Sequence, residues 1–312
     1  MSPRRSNGAL RTLVIVNPAS AAGATQRRWV RIARAIQAAL GPFEHAFTDG
    51  PHHATTLTRR ALQAGAQMVV AVGGDGTVNE VVRGFFDGRR PAAPRAVLGV
   101  VPHATGGDLA RSLGTPGFEE ACARLGGHTT RSIDVGYARY VDHDGRPAEH
   151  VYLNVASFGC SGIVANALTG APKRLGSLTF ALATVQALRG HRDPVVTIIF
   201  NGGSPQHLAI TNCAVCNGRY FGGGMLVAPS ARIDDGWLDI TTWSGFGLAD
   251  FVRHRRALYD GAHVNLPGTR LDRAQAITAT ASKPVLLELD GESVGRLPVS
   301  IDLLPAALRL KV

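Results

Sequence analysis

Three short apolar runs, TLVIV (12–16), MVVAV (68–72) and AVLGVV (96–101), each feed a loop of small or turn-forming residues, with helix-period segments between them. From about Gln26 to Leu40, Trp29, Ile32, Ile36 and Leu40 recur on one helical face, while Arg27, Arg31 and Arg34 lie largely away from it. EHAFT (44–48) reads as a further short strand, and ATTLTRRALQAG (54–65) and TVNEVVRGFF (77–86) as helices. Strands alternating with helices over about 110 residues predict parallel βαβ units in a doubly wound α/β sheet. Ligands of such sheets bind beyond the carboxyl ends of the strands, which singles out the loops after Val16, Val72 and Val101.

Beyond TTRSIDVGYARY (129–140) the pattern changes to extended segments joined by turns such as DHDGRP (142–147) and FNGGSPQ (200–206). Two helical stretches interrupt them, LGSLTFALATVQALRG (175–190) and GLADFVRHRRALYDG (247–261). This half predicts a mainly antiparallel, sandwich-like β domain with inserted helices. A chain of 312 residues can bury two cores. The expected division is 1–133 for the α/β domain and 134–296 for the β domain, with the apolar segment 297–312 returning to the first.

Composition narrows the function classes. With 45% hydrophobic and 18% charged residues the chain is globular rather than disordered. Its net charge of +10 gathers in TQRRWVRIAR (25–34) and FVRHRRAL (251–258). Such clusters attract nucleic acid, anionic membrane surfaces or phosphorylated small molecules, or are simply solvated helix faces. Aromatic residues are too sparse beside either cluster for base stacking, so a nucleic-acid partner is not expected. The Cys213-x-x-Cys216 pair invites a metal or redox reading, yet a zinc site needs a second close pair, and the alternation of LAITNCAVCNG favours buried strand residues. The apolar run before Asn17-Pro18 is too short for a signal peptide, and no stretch reaches about 18 uninterrupted apolar residues. The expectation is a cytoplasmic protein touching the inner face of the membrane peripherally, and a homodimer is compatible with it.

The loop VGGDGTVNE (72–80) has the glycines and the following helix start that suit an anion. It lacks the lysine of a Walker loop, and Asn79 stands where the dinucleotide fingerprint has its third glycine. Asp75 beside a phosphate at about 4 Å would repel it by roughly 4 kcal/mol at an effective dielectric near 20. A nucleotide here would therefore bring Mg²⁺, unless Asp75 is only a turn former.

NPASAAG (17–23), GGDGTVNEVVRGF (73–85), PHATGGDLARSLG (102–114), APSARIDDGWLDI (228–240) and LELDGES (287–293) follow one another in the order of the signature segments of the diacylglycerol-kinase-like lipid kinases. The chain resembles that family over nearly its whole length. The resemblance implies ATP and Mg²⁺ as cofactors. It implies a nucleotide loop of Gly73, Gly74, Asp75, Gly76, Thr77, Val78 and Asn79, with Asn17, Thr48, Thr105 and Asp108 also lining the ATP site. Ala104 and Gly107 replace the family's usual glycine and asparagine in the third loop. It further implies a metal-binding turn with the Asp235 side chain and the carbonyls of Arg232 and Trp237 as ligands, where the plain alternative is an Asp-Gly hairpin.

The family's general base falls in the Asp290-Gly291-Glu292 segment. In extended geometry Asp290 and Glu292 point to one face. Glu292 is favoured as the base with Asp290 supporting it, and the reverse assignment stays open. The implied reaction passes the γ-phosphoryl group of ATP to the hydroxyl of a membrane lipid, diacylglycerol or a ceramide or sphingoid base, bound between the two domains. LGSLTFALATVQAL (175–188) either lines an acyl pocket or packs as core. The rivals are a kinase of a soluble acceptor such as NAD and a lipid-binding protein without turnover.

Overall fold

The computed structural model describes residues 10–103, 107–115, 117–169, 176–189 and 191–312. They form two compact units. The first comprises the described residues up to His103, with Thr115–Ser132 and Leu308–Val312; the second comprises 107–114 with Ile133–Ala307.

The first unit alternates β1 (Thr12–Val16), α1 (Ala24–Leu40), β2 (Glu44–Phe47), α2 (His53–Gln63), β3 (Met68–Gly73) and α3 (Asp75–Gly84). A short hairpin, β4 (Phe86–Asp87) and β5 (Arg90–Pro91), leads to β6 (Val97–Pro102), and α5 (Phe118–Gly126) follows later in the chain. The strands are parallel in the order β6-β3-β1-β2, with Arg309 and Leu310 pairing outside β6. In register, Val16 lies beside Val72 and Val72 beside Val101, so three strands end at one level. Ile32 and Ile36 of α1 are buried against Val14, Val16, Val70 and Val72, the face that the sequence period marks. Each such side chain contributes about 1.5–3 kcal/mol on burial.

The second unit is a sandwich of antiparallel strands. It holds α4 (Asp108–Ser112), β7 (Thr130–Asp142), β8 (Pro147–Tyr152), β9 (Val155–Gly159), α6 (Cys160–Leu168) and α7 (Gly176–Leu188). Then come β10 (Val195–Phe200), β11 (Gln206–Ala209), β12 (Asn212–Cys216), the small hairpin β13 (Tyr220–Phe221) and β14 (Met225–Leu226), and β15 (Leu238–Trp243). After α8 (Leu248–Arg253) and α9 (Arg255–Asp260), the chain closes with β16 (Thr269–Ala274), β17 (Ala276–Ala281), β18 (Leu286–Leu289) and β19 (Glu292–Lys311). One layer runs β16-β15-β12-β9-β18-β19, and β19 continues to pair β17, which is followed by β10 and β11. Phe158, Cys213, Val215 and Ile240 from the first layer pack against Ile198, Ile277 and Ile301 from the other.

The opposite face of β12 and β9 is covered too, by a cluster with Cys216, Ala214, Met225 and Trp243. Cys213 and Cys216 therefore belong to opposite faces of one strand, as an odd spacing requires. Burial pushes the Cys213 thiol up to about 12 and raises that of Cys216 well above its ordinary range, so both are inert core residues.

The structure departs from the sequence pattern in three places. The segment 247–261 forms two short helices that break at His254, where φ is −100° and ψ is 14°. The return to the first unit is confined to Leu308–Val312, because β19 keeps antiparallel partners in the second unit as far as Asp302. Finally, α4 groups with the second unit rather than the first. Leu182 of α7 is 62% exposed, while Ala183 and Ala187 pack on Cys160 and Val164. Among the described residues no helix is long and apolar enough to cross a membrane.

Candidate functional site

The glycine loop begins where β3 ends. Gly74 is the N-cap of α3 and Asp75 its first residue, with Gly76 exposed. The Thr77 and Val78 N–H groups donate to the Gly74 carbonyl at 2.9 and 3.1 Å, and the helix dipole adds a partial positive charge at this end. Gly73 is required by packing: a Cβ on it would lie 2.5 Å from Thr77 Oγ1 and 2.8 Å from Thr77 Cβ. That close approach lets Thr77 Oγ1 accept a hydrogen bond from Asn17 Nδ2 at 3.0 Å, which ties the loop after β1 to the start of α3. Asn17 Oδ1 in turn accepts from the Ala19 N–H.

The neighbouring strand ends join the same arrangement. The Thr48 N–H donates to the Val16 carbonyl at 2.9 Å, placing Thr48 beside the end of β1. The His103 N–H donates to the Gly73 carbonyl at 2.8 Å, and His103 Nδ1 lies 2.7 Å from Thr25 Oγ1. Burial, and after it the Arg28 guanidinium, holds His103 below its ordinary range and keeps the ring neutral near pH 7. Thus Asn17, Thr48 and Gly73 to Asn79 occupy one end of one sheet. Val78 is core, 2% exposed, and its N–H is taken by the Gly74 carbonyl at 3.1 Å. Asn79 is 0% exposed and its side-chain amide has no hydrogen-bond partner among the described residues. Thr105 lies outside the described residues.

The Asp290-Gly291-Glu292 segment belongs to the second unit and is not extended. Asp290 has φ +47° and Gly291 φ +86°, the two positive values of a type I′ hairpin, and Leu289 pairs with Glu292 across it. The same-face reading of Asp290 and Glu292 is therefore corrected: the turn breaks the alternation on which it rests. The Asp290 carboxylate points back into the fold and accepts the N–H groups of Leu153, Asn154 and Val155 at 2.8, 2.9 and 2.9 Å. A carboxylate so engaged is a structural anchor of the turn. Glu292 is partly exposed at the first position of β19.

Asp108 opens α4, where its carboxylate meets Arg111 at 2.8 Å and the Gly223 N–H at 2.7 Å. Within the second unit α4 is linked to the turn: Ser112 donates to Asn154 Oδ1 at 2.8 Å, and the Asn154 N–H donates to Asp290. Ser112 and Asn154 support the turn in a way the sequence did not signal, since a lone Ser and Asn carry no periodic signal.

The expected metal turn is also in the second unit, and its one side-chain donor, Asp235, is engaged. Asp235 Oδ1 accepts the Trp237 N–H at 3.1 Å and Oδ2 meets an Arg273 guanidinium nitrogen at 2.5 Å. Arg273 Nε lies 3.4 Å from buried Asp239, and its guanidinium stacks 5.6 Å from the Trp237 ring centre. Arg232 pairs instead with Asp234. The carboxylate assigned to a cation already has a cation, so this set as arranged does not fit Mg²⁺. Replacing Arg273 by Met should lower stability by about 1–2 kcal/mol, whereas a chelator should leave the wild-type melting temperature unchanged. Calorimetry with and without chelator checks both, and a chelator-sensitive wild type would return the site to a metal.

The sequence can now be set beside known proteins. Residues 11–138 match the diacylglycerol kinase catalytic domain, and residues 154–312 match the YegS C-terminal NAD kinase beta sandwich-like domain. A "Diacylglycerol kinase" of Bacillus subtilis (strain 168) is 28% identical, over 92% of this chain and 91% of its own. The Pseudomonas aeruginosa PAO1 protein named "Probable lipid kinase YegS-like" is 30% identical, over 82% and 80%. In fold, a crystal structure of a diacylglycerol kinase from Bacillus anthracis str. Sterne aligns with TM-score 0.72 at 23% identity, covering 96% of each chain. Yeast NADH kinase aligns more distantly, with TM-score 0.52 at 11% identity over 99% of this chain and 87% of its own. With both halves matched in order, and the glycine loop and the Asp-Gly-Glu turn in place, the chain belongs to the diacylglycerol-kinase-like lipid kinase family and is a kinase.

Proposed function

We propose that this protein transfers the γ-phosphoryl group of ATP to a hydroxyl of a membrane lipid, with diacylglycerol the first candidate and a ceramide or sphingoid base the second. The observation that carries this reading is the glycine loop opening α3 at the common end of β1, β3 and β6, with the unpartnered Asn79 amide one turn in. Backbone N–H groups there suit the phosphates of ATP, and Asp75 supplies a hard oxygen donor for the Mg²⁺ that accompanies them. Held there, Mg²⁺ would supply charge neutralisation to the phosphates.

Glu292 is the base of this reading, because Asp290 is spent on three backbone amides. It takes the hydroxyl proton as the lipid oxygen attacks the γ-phosphorus and ADP departs. Arg253, Arg255 and Arg256 are exposed and offer attraction to anionic headgroups of about 1 kcal/mol each near the surface.

Labelled ATP, Mg²⁺ and vesicles carrying one lipid at a time test the proposal. Labelled phospholipid is expected; a labelled soluble acceptor such as NAD without lipid product would overturn it. Asn79→Leu adds a narrower test. Removing a buried amide that lacks a partner should leave the melting temperature unchanged or higher, since such a group costs about 1–3 kcal/mol. The KM for ATP should rise by roughly tenfold, the value of one hydrogen bond of about 1.4 kcal/mol. An unaltered KM would remove Asn79 from the nucleotide site.

A further inference from the structure

Beneath the Asp290–Gly291 turn lies a buried carboxyl that no step above uses. Glu288 of β18 is 3% exposed and sits directly opposite Ser157 of β9 in the antiparallel register. Its neighbours along the strand, Leu287 and Leu289, are fully buried. Glu288 Oε2 accepts from the Ser157 hydroxyl, Ser157 Oγ lies 2.7 Å from Ser161 Oγ, and the Ser161 N–H is anchored on Asn212 Oδ1 at 2.9 Å. The other oxygen, Oε1, accepts the Gly291 N–H at 2.5 Å. One side chain thus joins the interior of the sheet to the turn that presents Glu292.

We infer that Glu288 is a positioning residue: its carboxyl, held by Ser157 and Ser161, grips the Gly291 N–H and so fixes the direction in which Glu292 leaves the turn. The inference rests on the reading of Glu292 as the base. Two carboxylates then clamp the hairpin from different sides, Asp290 through the amides of 153–155 and Glu288 through the amide of Gly291. Rigid support of this kind matters because a misplacement of about 1 Å at a reacting group can cost 10²-fold in rate.

Chemistry gives the clamp a pH signature. Burial pushes Glu288 up to about 7, against the bonds from Ser157 and Gly291, and the charge of Asp290 adds to the rise. The titratable groups around it are Asp290 and Glu292 on the hairpin, Cys216 from β12, and His143, whose Nε2 lies 3.2 Å from the carbonyl of Ser293 opposite Glu288. A carboxyl with a raised folded value favours the fold below its unfolded value of 4.5, and that contribution is lost as pH rises through 7. Wild type should therefore lose melting temperature relative to Glu288→Gln between about pH 5 and 8.

The experiment compares Glu288→Gln, which keeps an acceptor for Gly291, with Glu288→Leu, which does not. The Leu variant should lower kcat by about 10- to 100-fold with the KM for ATP unchanged, while the Gln variant stays near wild type. Independently of turnover, the Gly291 amide should exchange with solvent at least about tenfold faster in the Leu variant, with the amide of Val70 in the first unit as an internal control. Its wild-type NMR resonance should titrate near pH 7 and stop doing so in the Gln variant. Unchanged Gly291 exchange in Glu288→Leu would overturn the clamp. Full turnover in Glu292→Gln would strike the base reading alone, because the exchange result decides the clamp without it.

Discussion

Glu292→Gln is expected to lower kcat by about 10²- to 10⁴-fold, the range contributed by a positioned general base. The amide keeps the size and hydrogen-bonding outline of the side chain but cannot accept the hydroxyl proton. Because Glu292 is partly exposed at the start of β19, its replacement should leave the unfolding transition in place. The KM for ATP should hold as well, since the glycine loop belongs to the first unit. Initial rates on lipid vesicles with a melting curve beside them test this. A rate within a few-fold of wild type would move the base elsewhere. Asp290→Asn separates the two carboxylates: it weakens three charge-assisted hydrogen bonds to 153–155, and so its loss of activity should come with a loss of stability.

Asp75→Asn is the second large expectation, a fall of about 10³-fold in kcat/KM. The figure follows from removing one charge about 4 Å from one net positive charge, a Mg²⁺ half neutralised by phosphate, at an effective dielectric near 20, roughly 4 kcal/mol, with each 1.36 kcal/mol worth tenfold. If Asp75 served only its helix, the variant would lose about 0.3–1 kcal/mol of stability from the α3 dipole and nothing from the rate. A Mg²⁺ titration distinguishes the cases: a metal anchor predicts partial recovery of the variant at raised Mg²⁺. A wild-type rate at ordinary Mg²⁺ would leave Asp75 as a helix-start residue.

The parallel sheet was legible in the sequence because TLVIV, MVVAV and AVLGVV are buried on both faces and their helices keep one apolar stripe, as Ile32 and Ile36 do. Periodicity reports burial, and burial is what holds these elements. The Cys213-x-x-Cys216 pair was legible for the same reason, since alternation places its thiols on opposite faces of β12. Where local rules compete, the reading failed. Residues 247–261 carry a helical pattern, yet the chain breaks at His254, and neither resulting helix has a fully buried residue. Asp290 and Glu292 looked like alternating strand positions, while Asp-Gly is equally a hairpin turn, and the turn prevails.

By itself, then, the sequence determined the two-part architecture, the strand ends that carry the glycine loop, and the family, because each is written in local period or in an ordered motif. Only tertiary structure decided what surrounds each carboxylate. Asp290 is consumed by amides more than 130 positions earlier in the chain, Glu288 is buried by its partner strand, and Asp235 is neutralised by Arg273 from a neighbouring strand. The role of a carboxylate depends on which donors surround it and how far water is excluded, and both are set by residues distant in sequence.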